Sequence, residues 1–394
     1  MMTRAYMDHN ATAPVRPEAA AAVARALTMT GNPSSVHNEG RAAHALIEEA
    51  RINVAKLVNA RPEEVVFTSG GTEAANLAIH LAATSLGVER LVISAIEHDC
   101  IRASAAASGL PVDVIPVSTT GLVDLEALES LLALPGKALV AVMAANNETG
   151  VIQPVDKAAE VARSHGALFL CDTIQAIGRL HVDFRALNAD MLLISAHKIG
   201  GPQGVGALVL REGLPFDSMV RGGGQEKRRR AGTENVPGIA GFGEAARLVA
   251  DPHDAELQHI KRLRDHLECR LCEVTPDVVI FGHDAERLPN TSLFAARGLD
   301  ASTLLMALDL DGFAVSSGSA CSSGKVARSH VLAAMNVDDE LAKAAIRVSF
   351  GTENTAEEID RLVASWARVY QRVRNKSLSE TAGASTPAFA EVEH

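Results

Sequence analysis

The sequence predicts an α/β protein: a mainly parallel sheet covered on both faces, followed by a smaller α/β domain. Three observations carry this. Short apolar runs alternate with helical segments up to residue 253, as β-strands do when helices link and cover them. Polar side chains gather just after those runs, where open α/β sheets bind their ligands. From about residue 254 the pattern changes to a long charged helix and shorter mixed segments.

The strand-like runs are "EEVVFTSG", "ERLVISA", "ALVAVMAAN", "ALFLCD", "ADMLLISA" and "GALVL", with helical candidates at 73–86, 124–133 and 155–165. No internal repeat is visible. In the second part, a charged helix leads into "DVVIFG" and "NTSLFAA", then a helix near 301–309, "FAVSSGSAC", "IRVSFG" and a last helix at 355–374. The tail at 375–394 is small and polar in composition and reads as disordered.

Composition narrows the function classes. The chain has 394 residues, 47% hydrophobic and 22% charged, enough for two domains. Aromatic residues supply only 3%, so the core rests on Ala, Val, Leu and Ile. A net charge of −11 disfavours nonspecific nucleic-acid binding, because phosphates repel it. No run approaches the ~18 apolar residues of a membrane span, and the start lacks a signal-peptide pattern. The expected compartment is the cytoplasm. Cysteines at 100, 171, 269, 272 and 321 are odd in number and irregularly spaced, which argues against a disulfide framework. Cys269 and Cys272 ride one amphipathic helix with no second pair nearby, so no metal site is expected. Cys171, after "ALFL", reads as core.

The strand ends carry the chemistry. After "VVFT", Gly71 and Thr72 open a helix whose free N–H groups and dipole suit a phosphate. After the next strands come His98, then Asn146 and Asn147, then Asp172 and Gln175, then Ser195, His197 and Lys198. Singly, each has a plain structural role: a cap, a turn, an N-cap. Together at successive strand ends they match an aromatic, phosphorylated, cationic heterocycle. Lys198, between an apolar strand and a glycine-rich turn, is placed to lose its proton and form the Schiff base that anchors pyridoxal phosphate. Cys321, in "SSGSACSSG", has no apolar neighbours in sequence to bury it. Its glycines and serines read as a loop that lets a thiol travel.

These motifs resemble the cysteine desulfurases of the NifS/IscS type, within the fold-type-I pyridoxal phosphate enzymes. The resemblance runs from "YMDHNATAP" at residue 6 to about residue 372. It includes "GNPSSVH", "FTSGGTEAANLAI", "EHDCI", "NNETGVIQP", "HKIGGPQGVGAL", "RGGGQE", "AGTENV", "SSGSACSSG" and "IRVSFG". It implies a large pyridoxal phosphate domain at 13–253 with a mainly parallel seven-stranded sheet. The small domain would comprise 1–12 and 254–374.

The resemblance also implies roles. Lys198 anchors the cofactor and moves protons at the substrate Cα. Asp172 faces the pyridine nitrogen, where an anion keeps that nitrogen protonated. His98 stacks on the ring and shuttles protons, and Gln175, with Asn147 beside it, meets the ring's phenolic oxygen. Gly71, Thr72, Ser195 and His197 hold the phosphate. Thr233 holds it from the neighbouring subunit, which makes the protein a homodimer. Arg347 grips the substrate carboxylate through its fork, with Asn32 and Asn147 as further substrate contacts. Cys321 is the nucleophile that takes sulfur from L-cysteine as a persulfide, leaving L-alanine, and passes it to an acceptor such as an iron–sulfur scaffold protein. The chain departs from common members at Ala196, Gln203, Arg228, Arg229 and Ala231. Two further activities share this cofactor framework, selenocysteine lyase and aminotransferase, and a catalytically silent sulfur-transfer scaffold is a third alternative.

Overall fold

The computed structural model describes residues 4–250, 254–318 and 328–384. Its strands, in chain order, are β1 (Ala5–Tyr6), β2 (Val65–Thr68), β3 (Arg90–Ser94), β4 (Val112–Ile115), β5 (Ala138–Met143), β6 (Leu168–Asp172) and β7 (Met191–Ser195). These are followed by β8 (Gly206–Leu210), β9 (Val279–Ile280), β10 (Thr291–Ala295), β11 (Phe313–Ala314), β12 (Ser316–Ser317) and β13 (Ile346–Ser349).

Seven strands form one sheet in the order β2-β8-β7-β6-β5-β3-β4. All its pairings are parallel except those of β8, which runs against both β2 and β7. The six apolar runs seen in the sequence become β2, β3, β5, β6, β7 and β8, and each is buried along its length. Burial on both faces explains why they read as continuous apolar runs rather than alternating ones. The seventh strand, β4, is an edge strand with two exposed valines and a half-buried Asp113 that Arg90 holds at 3.0 Å.

Helices cover both faces. The helices Asn38–Leu57 and Val236–Val249 pack closely because Gly243 faces Ala50, where a Cβ would lie 2.4 Å from the Ala50 Cα. Four strands, in the order β12-β13-β10-β9, form an antiparallel second sheet. The helix Asp254–Val274 packs beside the final helix. Cys269 and Cys272 lie exposed on it, while Cys171 is fully buried.

The start of the chain joins this second part. β1 pairs in parallel with β11, matching Ala5 with Phe313 and Tyr6 with Ala314. The last helix, Ala356–Ala384, continues past the point where a disordered tail was expected. Its sequence through "QRVRNKSLSE" contains neither Gly nor Pro, so nothing in it breaks the helix. Residues 385–394 lie outside the described residues. Among the described residues no helix is long and apolar enough to cross a membrane, and no cluster of His, Cys, Asp and Glu is placed to hold a metal.

Candidate active site

The carboxyl ends of β2, β3, β5, β6 and β7 face the antiparallel sheet across a cavity of about 410 Å³, within the range of small-ligand sites. Gly71, Thr72, His98, Asn147, Asp172, Gln175, Ser195, His197, Lys198 and Arg347 all line it.

Each residue arrives by local chemistry. Gly70, at φ +154°, turns the chain from β2 into the helix Gly71–Thr84, which has no side-chain cap. The first N–H groups of that helix, at Gly71 and Thr72, are therefore free for an anion at the positive end of its dipole. His98 caps the helix Asp99–Ala107, its Nδ1 accepting the Cys100 N–H at 3.1 Å. Accepting through Nδ1 leaves the ring proton on Nε2. Capping and walling the cavity are thus one arrangement.

The two asparagines of "NNETG" part company. Asn146 is a turn residue: its Oδ1 accepts the N–H groups of Glu148 and Thr149 at 2.9 and 3.0 Å. Asn147 lines the cavity, and its carbonyl accepts from Arg347 Nη1 at 2.9 Å.

Asp172 ends β6 and is 5% exposed. It accepts the Ile174 N–H at 2.9 Å. Burial raises its pKa, against the pull of that bond and of His98 and Lys198. A cationic ring nitrogen brought against it would stabilise its ionised form. Gln175 donates to the Asn10 carbonyl at 3.0 Å and accepts from Arg179 at 2.9 Å.

β7 ends at Ser195 and passes into the turn Ala196–Lys198. His197 Nδ1 lies 3.2 Å from the Thr12 hydroxyl. Burial, followed by the Lys198 charge, pushes the His197 pKa down to about 4, so the ring is neutral. Lys198 Nζ donates to the carbonyls of Asn10 and Ala11 at 2.6 and 2.8 Å. Burial, with Arg347 and Arg179 nearby, brings its pKa down to about 7. An amine that sheds its proton near neutrality can act as a nucleophile and a base.

Arg347 enters from β13, 7% exposed. Its Nη2 donates to Asp8 Oδ1 at 2.8 Å. Asn32 and Thr233 do not line this cavity. Asn32 closes a local turn, its Oδ1 accepting the Ser34 N–H at 2.9 Å. Thr233 lines a separate hollow of about 190 Å³ with Ser69, Gly204 and Arg230. Cys321 lies outside the described residues.

The cavity also contains residues the sequence reading passed over: Asp8, through its contacts, and Asn10 and Ser316 directly. The first two sit in "YMDHNATAP", which the resemblance quoted without assigning them roles. Their signal was a polar cluster directly after a short apolar start.

Residues 5–362 match the family described as aminotransferase class-V. A cysteine desulfurase from Cereibacter sphaeroides is 44% identical over 370 residues, spanning 92% of this chain and 94% of the relative. The chain belongs to the cysteine desulfurases of the class-V aminotransferase family. A relative named cysteine desulfurase IscS, from Dictyoglomus turgidum, is 37% identical over 96% of this chain and 97% of its own. The X-ray structure of a NifS-like protein from Rickettsia africae superposes with a TM-score of 0.87 at 38% identity, covering 93% of this chain and 99% of that one.

This cysteine desulfurase chain has the fold-type-I architecture and is a pyridoxal phosphate-dependent enzyme. The site's donor set fits that cofactor. An uncapped helix N-terminus with Ser195 and His197 suits the phosphate, a buried carboxyl suits the ring nitrogen, and a near-neutral amine suits the aldehyde.

Proposed function

We propose that this cavity converts L-cysteine to L-alanine and delivers the sulfur to Cys321 as a persulfide. The substrate C–S bond breaks and an S–S bond forms on the enzyme thiol, which accounts for every atom of cysteine and thiol. Bound pyridoxal phosphate supplies an aldehyde that links to amines and a ring that accepts the electron pair released at the substrate Cα.

The protein's own groups do the rest. Gly71, Thr72, Ser195 and His197 hold the phosphate, and Asp172 faces the ring nitrogen. His98 covers the ring. Gln175 and Asn147 approach the ring oxygen. Lys198 anchors the cofactor, and its near-neutral amine takes and returns the Cα proton. Arg347 grips the substrate carboxylate through its fork. In a homodimer, Thr233 of each subunit serves the partner's phosphate site, in keeping with its place outside the cavity of its own chain. Asn32 is an additional substrate contact in this reading. The sulfur passes on to an acceptor of the iron–sulfur scaffold kind, in the cytoplasm, where thiols stay reduced.

One observation carries the reading: a lysine near neutrality, a buried carboxyl, a histidine wall and an arginine fork converge on a single cavity in a chain with desulfurase relatives. The test is L-alanine and sulfide production from L-cysteine by the purified holoenzyme in the presence of a thiol reductant, which releases the outer persulfide sulfur as sulfide. Cys321→Ala is expected to keep the cofactor's visible absorbance and lose sulfide release. Full activity in that variant, or a colourless wild-type protein, overturns it.

A further inference from the structure

We propose that Asp8 is a positioning residue for substrate recognition, its carboxylate fixing the Arg347 guanidinium and the β12 strand in one arrangement. The inference rests on the reading of Arg347 as the grip for the substrate carboxylate, and it names what holds that grip in place.

The two carboxylate oxygens are divided between two partners. Oδ1 accepts from Arg347 Nη2 at 2.8 Å, and Oδ2 accepts from the Ser316 hydroxyl at 2.7 Å. Ser316 and Arg347 are themselves directly opposed in the β12–β13 register. Asp8 therefore closes a three-residue ring across a strand pair. The other Nη of Arg347 is held by the Asn147 carbonyl, 2.9 Å away, in the turn that follows β5. The fork is thus fixed from both sides, by the start of the chain and by the turn after β5.

These contacts use two of the five N–H groups of the guanidinium. Arg347 and Ser316 line the cavity, while Asp8 stands behind them. Only 17% of the Asp8 side chain and 8% of the Arg347 side chain is accessible, so the pair is shielded from solvent screening. Asp8 is fixed in turn by its backbone, which bridges in parallel to Ser349 on β13. A planar fork delivers bidentate binding only when its orientation is set beforehand. Without Asp8, Nη2 loses its charged partner and the fork loses the contact that sets its orientation.

The test separates carboxylate recognition from amine recognition in the holoenzyme. L-Alanine and ethylamine differ by one carboxylate, and each perturbs the cofactor's visible band on binding. Asp8→Ala is expected to weaken L-alanine about tenfold, the order of one charge-assisted hydrogen bond, and to leave ethylamine unchanged. Asp8→Asn keeps an acceptor for Arg347 and restores L-alanine to within about threefold of wild type. Ser316→Ala loosens one side of the ring and weakens L-alanine about threefold.

Wild-type L-alanine affinity in Asp8→Ala overturns the proposal, as does equal loss for both amines. If Asp8→Ala does not fold, wild-type affinity in Ser316→Ala overturns it instead. Arg347→Ala is the control for the underlying reading. If that variant keeps the wild-type ratio of the two affinities, the role of Arg347 itself is wrong. If it abolishes the ratio while Asp8→Ala retains it, only the role of Asp8 is wrong.

Discussion

The side-chain nitrogen of Lys198 lies 2.6 Å from the carbonyl oxygen of Asn10, a residue 188 positions earlier in the chain. The same carbonyl accepts from Gln175 at 3.0 Å, and the Asn10 side chain reaches Thr291 and Asn290 at 2.9 and 3.0 Å. Asn10 thus ties the turns that follow β6 and β7 to the antiparallel sheet beside Lys198. With no carboxylate hydrogen-bonded to it among the described residues, the amine is governed by burial and by two nearby arginines.

That setting has a stability consequence. The Lys198 pKa falls from 10.5 to about 7 on folding. Between those values the unfolded chain holds a proton that the folded chain has shed, so stability rises with pH across the window. Below it, the folded apoprotein carries a charge in an unfavourable place. Lys198→Met removes that cost. The apo variant is expected to be more stable than wild-type apoprotein by on the order of 2 kcal/mol at pH 6, after allowing for two lost hydrogen bonds. The gap closes as the pH rises toward 10.5. Urea unfolding of both apoproteins at low and high pH checks this, and the same variant should bind pyridoxal phosphate without the visible imine band.

Glu97 has the opposite sign. It is fully buried, its Oε1 accepting from Ser94 at 2.7 Å and from the Met143 N–H at 2.7 Å. Burial, with Asp172 nearby, raises its pKa from 4.5 to about 8. At neutral pH it is a neutral acid, and stability falls as pH climbs from 4.5 through 8. Glu97→Gln, neutral and nearly the same shape, is expected to match wild type near pH 5 and to exceed it above pH 8. Unfolding midpoints of the apoproteins across that range measure the difference, and parallel curves would count against a protonated Glu97.

Most of the large sheet was legible because strands buried on both faces are continuous apolar runs. β4 escaped notice because its valines face solvent and Asp113 interrupts it. The strand-end residues were legible too, since a parallel sheet sends all its ligand-facing ends to one edge. Asp8 and Asn10 were not, because nothing local reveals that β1 will pair with β11, some three hundred residues away. Asn32 shows the reverse case: its place in a quoted motif implied a substrate contact, whereas the single chain uses it to close a turn. Thr233, expected to serve a neighbouring subunit, stands outside the cavity of its own chain.

The end of the cavity lined by Gly71 and Thr72 rests on a close backbone crossing. A Cβ at Gly206 would lie 2.7 Å from the Ile194 carbonyl oxygen and 2.8 Å from the Gly70 backbone. Both neighbours are main chain, on β7 and on the turn before Gly71, and neither yields as a side-chain tip would. Gly206→Ala is expected to cost about 1–3 kcal/mol as overpacking and to weaken pyridoxal phosphate at least tenfold by displacing the Gly71 and Thr72 amides. Equilibrium dialysis with the cofactor, alongside thermal unfolding, separates the two effects. Unchanged cofactor affinity would mean the turn does not shape the phosphate site.

The loop that carries Thr233 is tied to the rest of its chain by a buried ion pair. Arg51 makes a two-bonded fork to Glu226, both bonds 2.7 Å, and Glu226 also accepts the Phe67 N–H at 2.9 Å. The Arg51 guanidinium lies over the Phe67 ring, 4.8 Å from its centroid. Glu226, Lys227 and Arg228 all hold positive φ, between 46° and 67°, a conformation costly to side-chain-bearing residues. The ion pair holds that turn in place. Glu226→Ala leaves Arg51 buried with Glu48, 3.0 Å from its Nε, as its remaining counter-charge and is expected to cost about 3 kcal/mol, whereas Glu226→Gln, which keeps one acceptor, should cost less than half of that. If the loop completes a partner's phosphate site, the Gln variant should also bind pyridoxal phosphate more weakly while remaining folded. Urea unfolding and cofactor titration on the same preparations decide the point, and a stable Glu226→Ala protein with wild-type affinity would show the loop to be held by other contacts.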